Sequence, residues 1–402
     1  MTRPGQVRIT GPLVPYRAGF AAELAARGYT PLSAANQLRV MAHLSRWLAA
    51  EELEAGGLTP ERVEEFLHAR RRQGYTCWLS ERGLAPLLGH LRTVDAVPRP
   101  APPVPSTPVD ELLESYRAYL ARERGLTSGT IEHYRAVGRL FLGERSAAEG
   151  LGLEGLRTDD VTRFCVRECA RYSVGQAKNV VAGLRSLLRF LFLEGLIHAE
   201  LAQAVPGVAG WRGSGLPKGL DPGQVGALLR SCDRRRGMGR RDHAILSVLV
   251  RLGLRAGEVA ALELSDVDWR RGEVLVSGKG RRDERLPLPV DVGEAMVAYL
   301  RRGRPRVSSP KIFLRARAPH GALTSGAVQA VVREACRRAG LAPVGAHRLR
   351  HTAATEMLRA GAPLREVAQV LRHRSVATTA IYAKVDRTAL RALARPWPRG
   401  AA

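Results

Sequence analysis

Over most of its length the chain places apolar residues three and four positions apart, the period of an amphipathic helix. Residues 57–67 (GLTPERVEEFL) show the form: a turn and an N-cap residue, acidic first-turn positions, then Val63 and Phe66 on one face. Residues 155–165 (GLRTDDVTRFC) repeat it at an offset of 98, with Val161 and Phe164 in the matching places. Upstream, Arg27-Gly28-Tyr29-Thr30 echoes Arg124-Gly125-Leu126-Thr127 at an offset of 97. Downstream, Gly83-Leu84 and Leu87-Leu88 echo Gly183-Leu184 and Leu187-Leu188 at 100. A slowly drifting offset is the trace of a duplicated helical domain with small insertions. Chance alignment of two amphipathic four-helix segments is the competing account.

Two stretches break the rhythm. Residues 97–108 contain six prolines and read as a stiff, extended linker. Residues 206–220 are glycine-rich and read as a flexible one. The predicted order is therefore an N-terminal helical domain (1–96), a linker, a second helical domain (109–205), a linker, a mixed domain (221–388) and a tail (389–402). In the mixed domain Asp221-Pro222 opens a helix, with Asp as N-cap and Pro at the first helical position. A helix over about Asp242–Leu252 follows. Residues 267–289 alternate and break as a small antiparallel sheet does. The remainder is helical, punctuated by Gly361 and Pro363. The fold class is mainly α with a small antiparallel β-sheet.

Charge adds a partner to this picture. The 402 residues carry a formal net charge of +25. Residues 201–402 hold 37 Lys+Arg against 16 Asp+Glu, an excess of 21, whereas residues 1–200 hold 26 against 22, an excess of 4. Biased coding explains arginine in place of lysine, but not cations in excess of carboxylates. An anionic polymer is the expected partner, and a nucleic-acid footprint is the better account of the excess. The five cysteines are scattered and form no zinc pattern, so no metal is expected and the thiols read as buried or half-buried. The longest apolar run, Ala244 to Val250, is far too short to span a membrane, and the N-terminus has no apolar signal segment. The chain reads as cytoplasmic, and no cofactor is implied.

The chemistry concentrates near the C-terminus. His347-Arg348-Leu349-Arg350-His351, then His373 and Tyr382, place a tyrosine among cations and imidazoles within 36 residues. Attack on a phosphodiester by a tyrosine hydroxyl needs an acceptor for the phenolic proton and cations for the phosphate oxygens. The H-x-L-R-H … L-x-H-x-S-x-x-T-T-x-x-Y pattern resembles the C-terminal boxes of the tyrosine recombinases, the phage-integrase and Xer-like family. Arg255, in Gly-Leu-Arg-Ala-Gly-Glu-Val-Ala-Ala-Leu, is similar to the family's first box, with Glu258 as its buttress. Lys279, between glycines at a hairpin tip, matches the family's β-hairpin lysine. It is one of only five lysines, which suggests that a titratable amine is wanted there.

The resemblance spans roughly residues 109–390 and implies a catalytic set of Arg255, Lys279, His347, Arg350, His373 and Tyr382. It implies a helical core-binding domain ahead of an α+β catalytic domain, with residues 1–96 as an extra clamp of the same type. His351 reads as packing or support. One departure is Arg372, which stands where the family usually has glycine before the histidine. The implied reaction is site-specific recombination through a 3′-phosphotyrosine, without metal or cofactor. It would run on double-stranded DNA at inverted-repeat sites, with a dimer on each site and a tetramer in synapsis. The short tail, with Leu390 and Leu393 before Pro396, would dock on a neighbouring protomer as tails do in relatives. The competing functions are relaxation of supercoils in the manner of a type IB topoisomerase, and a catalytically silent DNA-binding accessory of a mobile element.

Overall fold

The computed structural model describes residues 4–99, 107–144, 151–209, 219–278 and 283–372. Residues up to Pro100 group with those from Gly215 onward in one compact unit, and Ala101–Ser214 form the other.

The first helical set comprises α1 (Arg17–Ala26), α2 (Pro31–Ala50), α3 (Pro60–Arg72) and α4 (Glu81–Thr93). Thr30 and Thr59 cap α2 and α3, each accepting a backbone N–H three residues on and each followed by proline at the first helical position. The second set comprises α5 (Pro108–Arg122), α6 (Ser128–Gly143), α7 (Thr158–Cys169) and α8 (Val174–Leu193). The positions paired in the sequence hold like places in the two sets. Gly28 and Gly125 both have left-handed backbone, with φ +79° and +55°. Thr30 and Thr127 stand at helix N-caps. Val63 and Phe66 on α3 are buried, as are Val161 and Phe164 on α7. Leu84, Leu87 and Leu88 on α4 are buried, as are Leu184, Leu187 and Leu188 on α8. Each set closes its own core.

Within its unit the first set also meets the C-terminal part of the chain, from residue 219 onward. The His320 backbone N–H donates to Arg27 O at 3.1 Å. The His320 ring lies so close to Gly28 that a Cβ there would come within 2.1 Å of Cδ2. Gly28 is needed for the approach as well as for its backbone angle.

The C-terminal part contains α9 (Pro222–Arg230), α10 (Gly237–Arg251), α11 (Ala256–Ala261), α12 (Val290–Arg302), α13 (Ser325–Arg338), α14 (Ala346–Arg359) and α15 (Leu364–Val370). Asp221 caps α9 by accepting from Gln224 N at 2.8 Å, and its own N–H donates to Gln224 Oε1. Central α10 packs against α12 and α14, with Ala244, Ile245, Leu246, Val248 and Leu249 fully buried. Each such Leu or Ile stabilises the core by about 1.5–3 kcal/mol. α10 begins at Gly237, earlier than the Asp242 expected from its apolar pattern. Gly237 and Gly239, ahead of the apolar pattern, serve close packing. A Cβ at Gly237 would meet Gly303 O at 3.0 Å, and one at Gly239 would meet Asp233 O at 1.9 Å.

The sheet is three-stranded and antiparallel in the order β1 (Val267–Asp268), β2 (Glu273–Ser277), β3 (Asp283–Pro287). Val274 pairs with Leu286 and Val276 with Glu284. Val274, Val276 and Leu286 are buried, so one face covers the core and the alternation fixes the register. Cys165, Cys232 and Cys336 are buried and Cys169 half-buried. Burial pushes the Cys165 thiol up to about 11. Cys77 departs from expectation: it is exposed, in the loop between α3 and α4. No helix among the described residues is long and apolar enough to cross a membrane.

Candidate active site

Three of the six expected catalytic residues line one cleft of about 530 Å³: Arg255, His347 and Arg350. Glu258, Ser277, Gly278, Ser325 and Gln329 complete much of its wall. Lys279, His373 and Tyr382 lie outside the described residues. β2 reaches the cleft at Ser277 and Gly278, immediately before Lys279, and Leu371-Arg372 immediately precede His373.

The approach to Arg255 is a left-handed turn. α10 ends at Arg251, Gly253 has φ +60°, and Leu254 is buried in the core. A Cβ at Gly253 would come within 2.6 Å of Leu371 Cδ2. The turn sets Arg255 at the N-cap of α11, where Glu258 reaches back to it. Arg255 donates its backbone N–H to Glu258 Oε2 at 2.8 Å and Nη1 to Oε1 at 2.6 Å. The buttress role expected of Glu258 is thus matched by geometry.

Burial alone would raise the Glu258 pKa. The Arg255 backbone N–H and the Arg372 and Arg255 guanidinium groups outweigh it and hold the carboxyl below its ordinary value. Glu258 therefore stays ionised and keeps hold of Arg255, whose side chain is 42% exposed toward solvent.

Arg350 is held differently. It is 1% exposed, and its guanidinium donates to two main-chain carbonyls, Gly253 O at 2.7 Å and Leu371 O. A bidentate guanidinium anchored by main chain has a fixed plane, which suits recognition of a tetrahedral oxyanion. His347, one turn earlier on α14, shares the cleft with it. Burial first, then the Arg350 and Arg255 charges, lowers the His347 pKa, so the imidazole is neutral near pH 7 and can accept a proton. His351 packs edge-to-face on His347, with ring centroids 4.4 Å apart. This agrees with its reading as support.

Two groups escaped sequence reasoning. Gln329 on α13 accepts the Ala346 N–H at 2.8 Å, capping the helix that carries His347 in place of the Gly345 N-cap, which has no side chain. Seventeen residues separate the partners, too far for a local capping signal. Arg372 was noticed only as a departure. Its side chain is 4% exposed, and its Nη2 donates to Glu258 Oε2 at 2.6 Å.

Comparison with known proteins gives this cleft relatives. The model of the "Phage integrase family" matches residues 218–388. "Putative integrase/recombinase y4rA" of Sinorhizobium fredii (strain NBRC 101917 / NGR234) is 41% identical over 393 residues, covering 96% of this chain and 95% of that protein. "Tyrosine recombinase XerD" of Listeria monocytogenes serotype 4b (strain F2365) is 31% identical over 296 residues, covering 70% of this chain and 97% of its own length. Among solved structures, the XerH site-specific recombinase bound to palindromic difH substrate in a post-cleavage complex aligns with a TM-score of 0.55. It is 21% identical and covers 70% of this chain and 83% of that one, a likeness of fold.

Proposed function

Because the chain belongs to the phage integrase family of tyrosine recombinases and is a site-specific DNA recombinase, we propose that it cleaves and rejoins strands through Tyr382 by the following steps. The Tyr382 oxygen attacks the scissile phosphorus, and its proton passes to His347. The bond from phosphorus to the 5′ oxygen breaks, leaving a 3′-phosphotyrosine, and Lys279 protonates the departing oxygen. Arg255, Arg350 and His373 carry the charge that builds on the non-bridging oxygens. A 5′ hydroxyl from another strand then attacks the phosphotyrosine and releases Tyr382. The bond energy is conserved in the protein–DNA link, so the step needs no cofactor.

The observation that carries this reading is the shared cleft: a main-chain-anchored arginine, a second arginine fixed by a buried carboxylate, and a histidine beside them. The relatives give no support to supercoil relaxation by a single protomer. DNA is the partner. Inverted-repeat sites, a dimer on each and a tetramer in synapsis are the finer reading. The alignment with XerD leaves 30% of this chain outside it, whereas that with the rhizobial protein leaves 4%. We read that difference as an extra helical set at residues 1–96, duplicated from the core-binding set at 109–205.

Tyr382→Phe tests the nucleophile. The substitution retains the aromatic ring and removes only the attacking oxygen. On a nicked suicide substrate the variant should bind DNA and leave no covalent band on a denaturing gel. A persistent adduct would assign the nucleophile to another residue.

A further inference from the structure

The residue before His373 is tied into the cleft from its buried side. Arg372 has φ +53°, a backbone region in which glycine is the usual occupant. A long charged side chain there persists only where its surroundings fix it. Its surroundings are specific. Its guanidinium reaches Glu258 Oε2 at 2.6 Å, and its carbonyl accepts from Arg255 Nη2 at 3.5 Å. The next carbonyl back, Leu371 O, accepts from Arg350. Two successive residues thus touch both cleft arginines and the carboxylate between them.

The charge balance explains what the extra cation does. Glu258 alone with Arg255 would be a neutral pair, and a carboxylate beside the phosphate site would repel the substrate. With Arg372 the group of three carries one net positive charge. The balancing cation is 4% exposed and the other cation, Arg255, is 42% exposed. A low-dielectric setting strengthens the inner pair and leaves the outer guanidinium available to an incoming oxyanion.

We propose that Arg372 is a positioning residue: by neutralising Glu258 from within, it leaves the charge of Arg255 directed at the scissile phosphate. The proposal rests on the reading of Arg255 as a phosphate ligand.

The test uses full-length protein, with single-turnover cleavage of a suicide substrate and DNA affinity measured separately. Arg372→Gly suits the left-handed backbone and removes the guanidinium, with Arg372→Lys as the control for the lost packing. It should bind within about threefold of the parent and cleave roughly ten- to a hundredfold more slowly, the scale of a misplaced catalytic group. Arg372→Lys should recover most of the rate. Adding Glu258→Gln to Arg372→Gly should recover part of it, because the unbalanced carboxylate is gone. Parental cleavage by Arg372→Gly would overturn the proposal. Joint loss of binding and cleavage would also overturn it, since that marks a packing residue, as would failure of both recoveries. Arg255→Ala run in parallel separates the two readings. If it cleaves normally, the phosphate role of Arg255 fails and the proposal with it. If it is slow while Arg372→Gly is normal, only Arg372 loses its role.

Discussion

His347 and His351 stand one turn apart on α14 and share one edge-to-face contact, yet only one lines the cleft. Burial first, then the neighbouring His347, Arg350 and Arg348, pushes the His351 pKa down to about 4. The sign follows from linkage. The folded protein resists a proton that the unfolded chain takes up near the ordinary value of 6.5. The effect on stability is absent above that value and grows as pH falls from about 6.5 toward 4. His351→Gln should therefore flatten the loss of denaturant midpoint over that window, and parallel curves for parent and variant would show that His351 is not the titrating group. Burial first, then the Arg350 and Arg255 charges, likewise favours the neutral form of His347. Arg255, His347 and Arg350 were legible in the sequence because each sits in a short motif. Arg372 and Gln329 were not, because their partners lie 114 and 17 residues away and only the fold brings them together.

At the scale of elements, the site depends on how α10 ends. Gly253 supplies a left-handed angle, room for Leu371 and the carbonyl that holds Arg350. Gly253→Ala should cost about 1–2 kcal/mol from the backbone alone. Crowding of Leu371 adds to that. Chemical denaturation would read the loss directly, and cleavage should fall further than DNA binding because Arg350 is displaced. An unchanged midpoint would mean that the turn relaxes freely. Elements whose signals are local were readable: the Asp221-Pro222 start of α9, the Gly361 stop after α14 and the alternating β2 and β3. The start of α10 was not. Glycines that mark a turn in sequence also permit backbone contact, and Gly237 and Gly239 serve the second purpose.

At the scale of the whole molecule, the two helical sets have like left-handed glycines and like buried positions, but their settings differ. Residues 4–99 share a compact unit with the catalytic half and meet it at Arg27 and His320. The residues that line the cleft all lie at or beyond Arg255. Deleting residues 1–108 should accordingly leave cleavage intact at high protein concentration while impairing recombination, which needs an ordered assembly. That segment holds 13 Lys+Arg against 9 Asp+Glu, so few phosphate contacts are lost. Each lost contact lowers the salt slope by about 0.9. A small slope change and modest weakening of site binding are expected in a salt-titrated binding assay, and a truncated protein that cannot cleave at any concentration would place residues 1–108 in the catalytic core. The joint at Arg27 and His320 has a consequence for how such chains diversify. It includes a main-chain hydrogen bond and a close approach that a glycine's lack of a side chain allows, features that another helical set with the same turn can offer. A different set that turns through glycine after its first helix could be grafted there without rewriting the cutting machinery. A lineage could thus exchange its front end like a cartridge while inheriting its chemistry unchanged.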